Sequence, residues 1–579
     1  MSKFTYDGIV FESYTKNELK GESFVRIKDG EVSEYLLHLD FGKAVYPRKY
    51  SLIWDEEQID MMGFWSSKSQ FGKNITPDWN MRSEVSRTAT GMPLICIYSK
   101  SNMNRITVAL SDPANTTVLS AGCVEENGKI KIKMELFPDI SPLMSEYSIT
   151  LRIDKRNISF CDSIKSAREW WSTLGYTPCY TPEYAKLPMY STWYSYHQEI
   201  DVDAIVKECE IAKALGMDTV IVDDGWQTED NSRGYAYCGD WKISKKKIPD
   251  MKAFVDRIHT LDMKFVIWFS VPYVGYFSEN YQRFKGMYLR HREYSKASVL
   301  DPRFKEVRDF LADIYCGYVE EYGWDGLKLD FIDSFLPEDC SSKDYDKMDC
   351  VSVEEGVDKL LSEVSSRLKA VNPDFMIEFR QSYVGPVMAK HGNFFRVTDC
   401  PCDSLANRIG AVDLRLAMGG AAVHSDMLMW NNNDTAESVG YQLLACMFAV
   451  PQISVRFDNI TNEHKRLLKH FLSFWREHRD AILNGSLYAR DAEANYSYVK
   501  SQNGKESVAV LYQGVVAEAD DGITSYIFNS VGKRGIYIEA SSSRKYEIYS
   551  ILGEKQSEGE IPAGVSKLPV ENCGYVKIF

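Results

Sequence analysis

Over its first 180 residues the chain alternates short apolar runs with turn residues: 23–27, 34–39, 93–98, 106–110, 130–134 and 147–153. Alternation at period two, broken by Gly, Asn, Asp and Pro, predicts an antiparallel β-sandwich. A helical stretch at 162–174 and a Pro-containing linker at 177–188 close this region. The loop Met61–Trp65 stands out. Trp65 is either a buried edge of the sandwich or an aromatic reaching over a neighbouring site.

From Met189 the rhythm changes. β-rich runs at 189–196, 219–226, 264–271, 327–332, 375–380, 393–399, 421–426 and 452–457 follow one another. Helical stretches are read between or after several of them, at about 203–215, 305–321, 354–371 and 463–478. Asp201 or Asp203 caps the first of these and Gly216 stops it. Eight such runs predict an α/β domain, a (β/α)8 TIM barrel, over 181–483. Residues 484–579 return to β alternation, read as a small C-terminal β-sandwich.

The stretch Tyr322–Asp333 organises the barrel. Its strand carries Lys328 and Asp330 at period two, so both side chains point to one side. On a sandwich strand that side faces solvent. In a closed barrel it is the lumen, where charge is costly unless it is used. Most of the other runs end in polar groups too: Asp223 and Asp224, Arg380, Arg396 and Asp399, His424 and Asp426, Arg456 and Asp458. Helix capping explains one or two such residues. Convergence on the C-terminal rim of a barrel, where catalytic groups sit, explains the set.

Composition narrows the chemistry. At 579 residues the chain needs several cores. A net charge of −14 argues against nucleic acid or anionic membrane as partners. No stretch of 18 apolar residues offers a membrane helix, and the N-terminal residues show no export signal. The 13 cysteines are scattered, without metal-site spacing, so reduced thiols and a cytoplasmic location are expected. No P-loop or dinucleotide glycine motif is present, and Lys328, Arg380 and Arg396 would offset the charge a metal needs. No metal and no cofactor are expected. Carboxylates among Trp and Tyr suit a polyhydroxylated ligand. Asp330 and Asp399, one strand apart, are the pair glycoside hydrolysis requires, at roughly the 5–6 Å of a retaining site. Lys328 would keep Asp330 ionised.

Those residues resemble glycoside hydrolase family 36 and its clan, the retaining α-galactosidases and α-N-acetylgalactosaminidases. The matching pieces are Trp193–Tyr196, Val222–Trp226, Gly239–Trp241, Ile267–Trp268, Leu327–Phe331 and Arg396–Asp399, in order across the barrel. The resemblance implies Asp330 as nucleophile and Asp399 as acid/base, with Arg396 near the sugar's O2. It puts Asp223 and Asp224 at the O4 and O6 side, Lys328 on ring hydroxyls, Trp241, Trp268 and Trp193 around the pocket, and Trp65 as an aromatic lent by the N-terminal domain. The implied partner is an oligosaccharide or glycoside. A homo-oligomer is left open. The chain departs from the family at Glu378–Pro386, where a Cys- and Gly-rich segment is usual and Arg380 and Gln381 stand instead. Arg380 is either a structural partner of neighbouring carboxylates or a reader of a modified sugar. A raffinose-synthase-like transglycosylase and a non-catalytic sugar-binding protein are the other readings.

Overall fold

The computed structural model describes residues 1–68, 71–336 and 345–579. Two six-stranded antiparallel sheets lie between Lys3 and Asp154. They face each other across a core that includes Phe11, Leu37, Trp54, Ile132 and Leu151. Helix α1 (Phe160–Thr173) follows, capped by the Ser159 hydroxyl, which accepts from the Cys161 N–H. Its Phe160, Ile164, Ala167 and Trp171 share one buried face at helical spacing. That face joins the sandwich to the barrel, and Trp171 donates to the Leu110 carbonyl at 2.8 Å.

The barrel strands are β1 (Met189–Ser191), β2 (Thr219–Val222), β3 (Lys264–Ser270), β4 (Gly326–Asp330), β5 (Met376–Arg380), β6 (Phe394–Arg396), β7 (Ala422–His424) and β8 (Gln452–Ile453). All neighbours are parallel, in the order β7-β6-β5-β4-β3-β2-β1-β8. A parallel bridge from His424 to Val450 closes the ring between β7 and β8. The flanking helices are α2 (Val202–Leu215), α3 (Met251–Thr260), α4 (Lys305–Tyr322), α5 (Val353–Val371), α6 (Ser404–Met418), α7 (Ala436–Ala445) and α8 (Asn462–Glu477). Asp201 caps α2, and Gly216 ends it at φ 111°, a conformation glycine adopts freely. A three-stranded antiparallel excursion, Tyr273–Leu300, interrupts the passage from β3 to α4. Beyond the barrel, a seven-stranded and a three-stranded sheet occupy Ser486–Ile578 around a small core.

Several elements differ from the sequence expectation. The run at 189–196 is strand only to Ser191; Trp193–Tyr196 is a helical turn. The Ser454 hydroxyl accepts the N–H groups of Tyr194 and Ser195, so β8 itself caps that turn. Met61–Trp65 is not a loop throughout: Gly63–Ser66 forms the edge strand of the second sheet. Helix α6 escaped the periodicity reading because it is buried along most of its length, Asp413 and Arg415 included, and so shows no polar face.

Candidate active site

Strand β4 ends at Asp330, the centre of the lumen's charge network. Its Oδ1 accepts from Arg380 Nε at 2.9 Å, from the Phe331 N–H at 2.9 Å and from the Tyr383 hydroxyl. Its Oδ2 accepts from Trp268 Nε1 at 3.0 Å. Burial works to raise the carboxyl's pKa. The charges of Arg380 and Lys328, with the Tyr383 and Trp268 hydrogen bonds, outweigh it and hold Asp330 well below the usual carboxylate range. The ring of Phe331, at φ 64°, lies beneath the Arg380 guanidinium.

Two strands on, Arg396 is buried among three carboxylates. It bonds Asp399 Oδ1 at 2.9 Å and Asp426 Oδ1, and lies 3.4 Å from Glu378 Oε1 without hydrogen-bond alignment. Asp426 also accepts from the Tyr194 hydroxyl at 2.9 Å and from the Cys400 N–H. Glu378 accepts from Gln452 at 2.9 Å. Asp399 has a side chain 48% exposed. Burial acts to raise its pKa, but Arg396, Arg380 and Lys328 together pull it below the ordinary value. For Asp426 and Glu378 burial prevails and both are raised. Arg380 therefore pairs with Asp330; Glu378, its expected companion two residues earlier, faces Arg396 instead.

On the far side of the lumen Lys328 binds Asp223. The Asp223 N–H donates to Thr192 Oγ1, which fixes the turn after β2. Asp224 accepts from Gln198 and Gln227, each at 2.7 Å. Neither amide brings charge, so burial lifts the Asp224 carboxyl to about 7. The barrel thus brings Asp223, Asp224, Trp268, Lys328, Asp330, Arg380, Arg396 and Asp399 together at one end of the ring. Among the described residues no group of three or more His, Cys, Asp or Glu side chains is arranged to hold a metal ion.

Comparison with known proteins agrees with this geometry. The family model for melibiase matches residues 185–378, which hold β1 to β5 and Asp330. That segment is similar to the melibiase family, and the relatives it matches are alpha-galactosidases. Alpha-galactosidase Mel36A of Lactobacillus acidophilus is 29% identical over 172 residues, 27% of this chain and 23% of that protein. The alpha-galactosidase of Escherichia coli is 26% identical over 156 residues, 26% of this chain and 22% of its own. The aligned part is thus about a quarter of these relatives' length. Among solved structures, the alpha-galactosidase from Lactobacillus brevis superposes with a TM-score of 0.64 at 13% identity, covering 99% of this chain and 85% of that one. A variant of the family 36 alpha-galactosidase AgaA from Geobacillus stearothermophilus, in complex with raffinose, gives 0.62 at 13% identity, over 98% and 86%. Both likenesses support the barrel-and-sandwich fold.

Within the barrel two expected pocket residues have other places. Trp65 is fully buried, and its Nε1 donates to Asp413 of α6 at 2.9 Å. Trp241, 1% exposed, packs against Trp226, Trp268 and Phe269. Neither presents an open face, so neither can stack on a sugar as the structure stands. Trp268, also buried, serves Asp330 through its N–H rather than walling a pocket. Trp193 is partly exposed, in contact with His197 and Arg233. Sequence reasoning missed Tyr383, Tyr194, Gln198 and Gln227. None sits at period two with a strand-end charge, and a neutral hydroxyl or amide in a loop gives no sign of the carboxylate it serves.

Proposed function

We propose that this protein is a retaining glycoside hydrolase that cleaves terminal α-galactosides in two displacements. The observation that carries the proposal is Asp330: a carboxylate kept ionised at the rim of the barrel, one strand from a second carboxylate that water reaches. In the first displacement Asp330 attacks the anomeric carbon as the leaving oxygen takes a proton from Asp399; in the second, Asp399 draws a proton from water, whose oxygen bonds the anomeric carbon and displaces the Asp330 carboxylate, releasing the sugar. Oδ2, with Trp268 as its one donor among the described residues, is the oxygen left for attack. Asp399 must carry a proton in the first step, yet in the empty site it lies below the usual range. Substrate closes over its exposed half, and the water so removed raises its pKa toward the value a general acid needs. Asp223 and Lys328 present a charged pair to sugar hydroxyls. The twelve described cysteines are free, in keeping with a reducing, cytoplasmic compartment, and no described helix is long and apolar enough to cross a membrane.

The test is hydrolysis of p-nitrophenyl α-galactoside followed by NMR of the first-formed sugar anomer. Retention is expected, with Asp330→Ala nearly inactive but folded; azide should then give the variant a β-galactosyl azide, not galactose. Inverted product, or near-normal turnover by the variant, refutes the assignment. Adding sucrose separates hydrolysis from transfer. A second reading rests on a cavity of about 450 Å³ lined by Lys68, Arg380, Asp333 and Ser382. Two cations there suit a sugar with an acidic or N-acyl group. If plain α-galactoside exceeds α-N-acetylgalactosaminide and α-galacturonide in kcat/KM by a wide margin, that reading fails.

A further inference from the structure

Away from the catalytic rim, a cavity of about 420 Å³ lies where the three parts of the chain meet. Helix α1 of the N-terminal part supplies Lys165 and Arg168 to its wall. The end of α6 and the turn before β7 supply Arg415 and Gly419, and the start of the C-terminal sheets supplies Gly485 and Leu487. No residue of the site around Asp330 lines it.

Its two arginines lack counter-charges. Arg415 is buried, and its Nη1 donates only to the backbone carbonyls of Phe448 at 3.2 Å and Ile482. Arg168 donates through Nη1 to the Gly419 carbonyl, and its buried Nε has no partner. Among the described residues neither guanidinium forms an ion pair. Asp162 and Glu169 also border the cavity, but both are exposed, and Glu169 pairs at 4.0 Å with Lys165 instead. Burial draws both guanidiniums down to about 10, and the charge of Arg168 adds to the effect on Arg415. Two like charges, Arg415 buried and Arg168 half-buried, thus face one space with backbone carbonyls as their partners among the described residues. Buried charge of this kind is ordinarily paired, and a guanidinium's geometry matches an oxyanion through parallel N–H donors.

We propose that the seam cavity binds a small oxyanion, a phosphate, sulfate or carboxylate group, between Arg168 and Arg415, and that the bound anion ties the N-terminal and C-terminal parts to the barrel. A ligand that binds only the folded chain stabilises it by mass action. Because its donors come from α1 and α6, with the start of the C-terminal sheets alongside, the anion acts on the relative placement of all three parts. The site is independent of the catalytic reading and stands whatever the enzyme's substrate.

The experiment is calorimetric titration of the full chain with inorganic phosphate, sulfate and a hexose phosphate, at ionic strength fixed with chloride. Thermal unfolding is followed in the same buffers. Saturable binding of one anion per chain is expected, with a melting temperature several degrees higher at saturation. Preference for the hexose phosphate marks an organic ligand; equal affinity marks the free ion. Arg415→Met and Arg168→Met should each weaken binding at least tenfold. Any stabilisation that persists in both variants is the general effect of excluded salts. Absence of saturable binding to the wild type overturns the proposal, as does undiminished affinity in the variants. If the Met variants fail to fold, Arg168→Lys, which keeps the charge but not the fork, takes their place, and unchanged affinity counts against the site.

Discussion

Arg380 is where the chain departs from the family it resembles and where the structure makes the sharpest demand. Its Nε lies 2.9 Å from Asp330 Oδ1, and it heads the groups that lower the Asp330 pKa against burial. A hydrogen bond to a charged group contributes about 1.5–3 kcal/mol, which at 1.36 kcal/mol per unit corresponds to about 1–2 pKa units. Arg380→Met removes that share and leaves Lys328, Tyr383, Trp268 and the Phe331 N–H in place. In the proposed mechanism Asp330 reacts as the carboxylate, so activity is lost as pH falls through the Asp330 pKa. In the wild type that point lies far to the acid side. In Arg380→Met it should move up by about 1–2 units. The acid limb of kcat/KM should follow, while the rate near pH 7, where the carboxylate is ionised in both, changes far less. The assay is the pH dependence of kcat/KM on p-nitrophenyl α-galactoside for both proteins. If the acid limb stays put while the rate at pH 7 falls about a thousandfold, roughly 4 kcal/mol of transition-state binding, Arg380 binds substrate and the argument is refuted. The same link affects stability. A depressed carboxylate stabilises the fold above its unfolded pKa and loses that contribution as pH falls through the folded one, so the variant should be less stable at neutral pH.

Two further outcomes follow from the site and the seam. Asp399→Ala should slow hydrolysis of natural α-galactosides at least a hundredfold more than that of activated aryl glycosides, since a general acid matters most for poor leaving groups; equal losses in kcat would transfer the role to another group. Asp413 of α6 binds Lys73 at 2.9 Å, the Trp65 indole and the Tyr496 hydroxyl, and so joins all three parts of the chain. Asp413→Ala removes the buried carboxylate from the Lys73 ammonium and should cost about 3–5 kcal/mol, read as a lower denaturant midpoint; an unchanged midpoint would show the pair adds nothing.

Much of the barrel was legible because its lumen is charged. Lys328 and Asp330 at period two are intelligible only on a strand whose inner face has work to do, and strand-end polar groups recurred round the ring. The rest was hidden for physical reasons. Trp65 and Trp241 sit where an aromatic could wall a sugar pocket, but core packing asks for the same apolar face, and only the Asp413 and Trp226 contacts distinguish the two roles. Helix α6 was hard to read because a carboxylate and a guanidinium, Asp413 and Arg415, are buried among its apolar residues. Arg380 was legible as an anomaly, but its partner was set by the turn after β5, which carries Tyr383 and Arg380 to the same oxygen of Asp330.

The lumen also partitions its protons, and that leads to a last prediction. Five carboxylates, Asp223, Asp330, Glu378, Asp399 and Asp426, share three cations, Lys328, Arg380 and Arg396, and a sixth, Asp224, is held by the Gln198 and Gln227 amides. The cations lie so that the proposed reacting pair is held down, while Asp224, Glu378 and Asp426 are pushed up by burial. Arg396 is the divided one. Its Nη1 serves Asp426 while Nη2 serves Asp399, so Asp426 limits how strongly Arg396 can hold Asp399. Asp426→Asn removes that competitor and keeps an oxygen for the Cys400 N–H and the Tyr194 hydroxyl. Arg396 should then bind Asp399 more tightly and lower its pKa by about one unit, some 1.4 kcal/mol. Asp399 donates its proton only below its pKa in the complex. The alkaline limb of kcat on a natural α-galactoside should therefore move about one unit to the acid side. An activated aryl glycoside, which barely needs the acid, should keep its alkaline limb. That split separates a positioning role from simple structural damage, which would lower both substrates together and leave both limbs in place. If the alkaline limb for the natural substrate moves to higher pH, Asp426 is not competing for Arg396, and Asp399 receives its proton by another route.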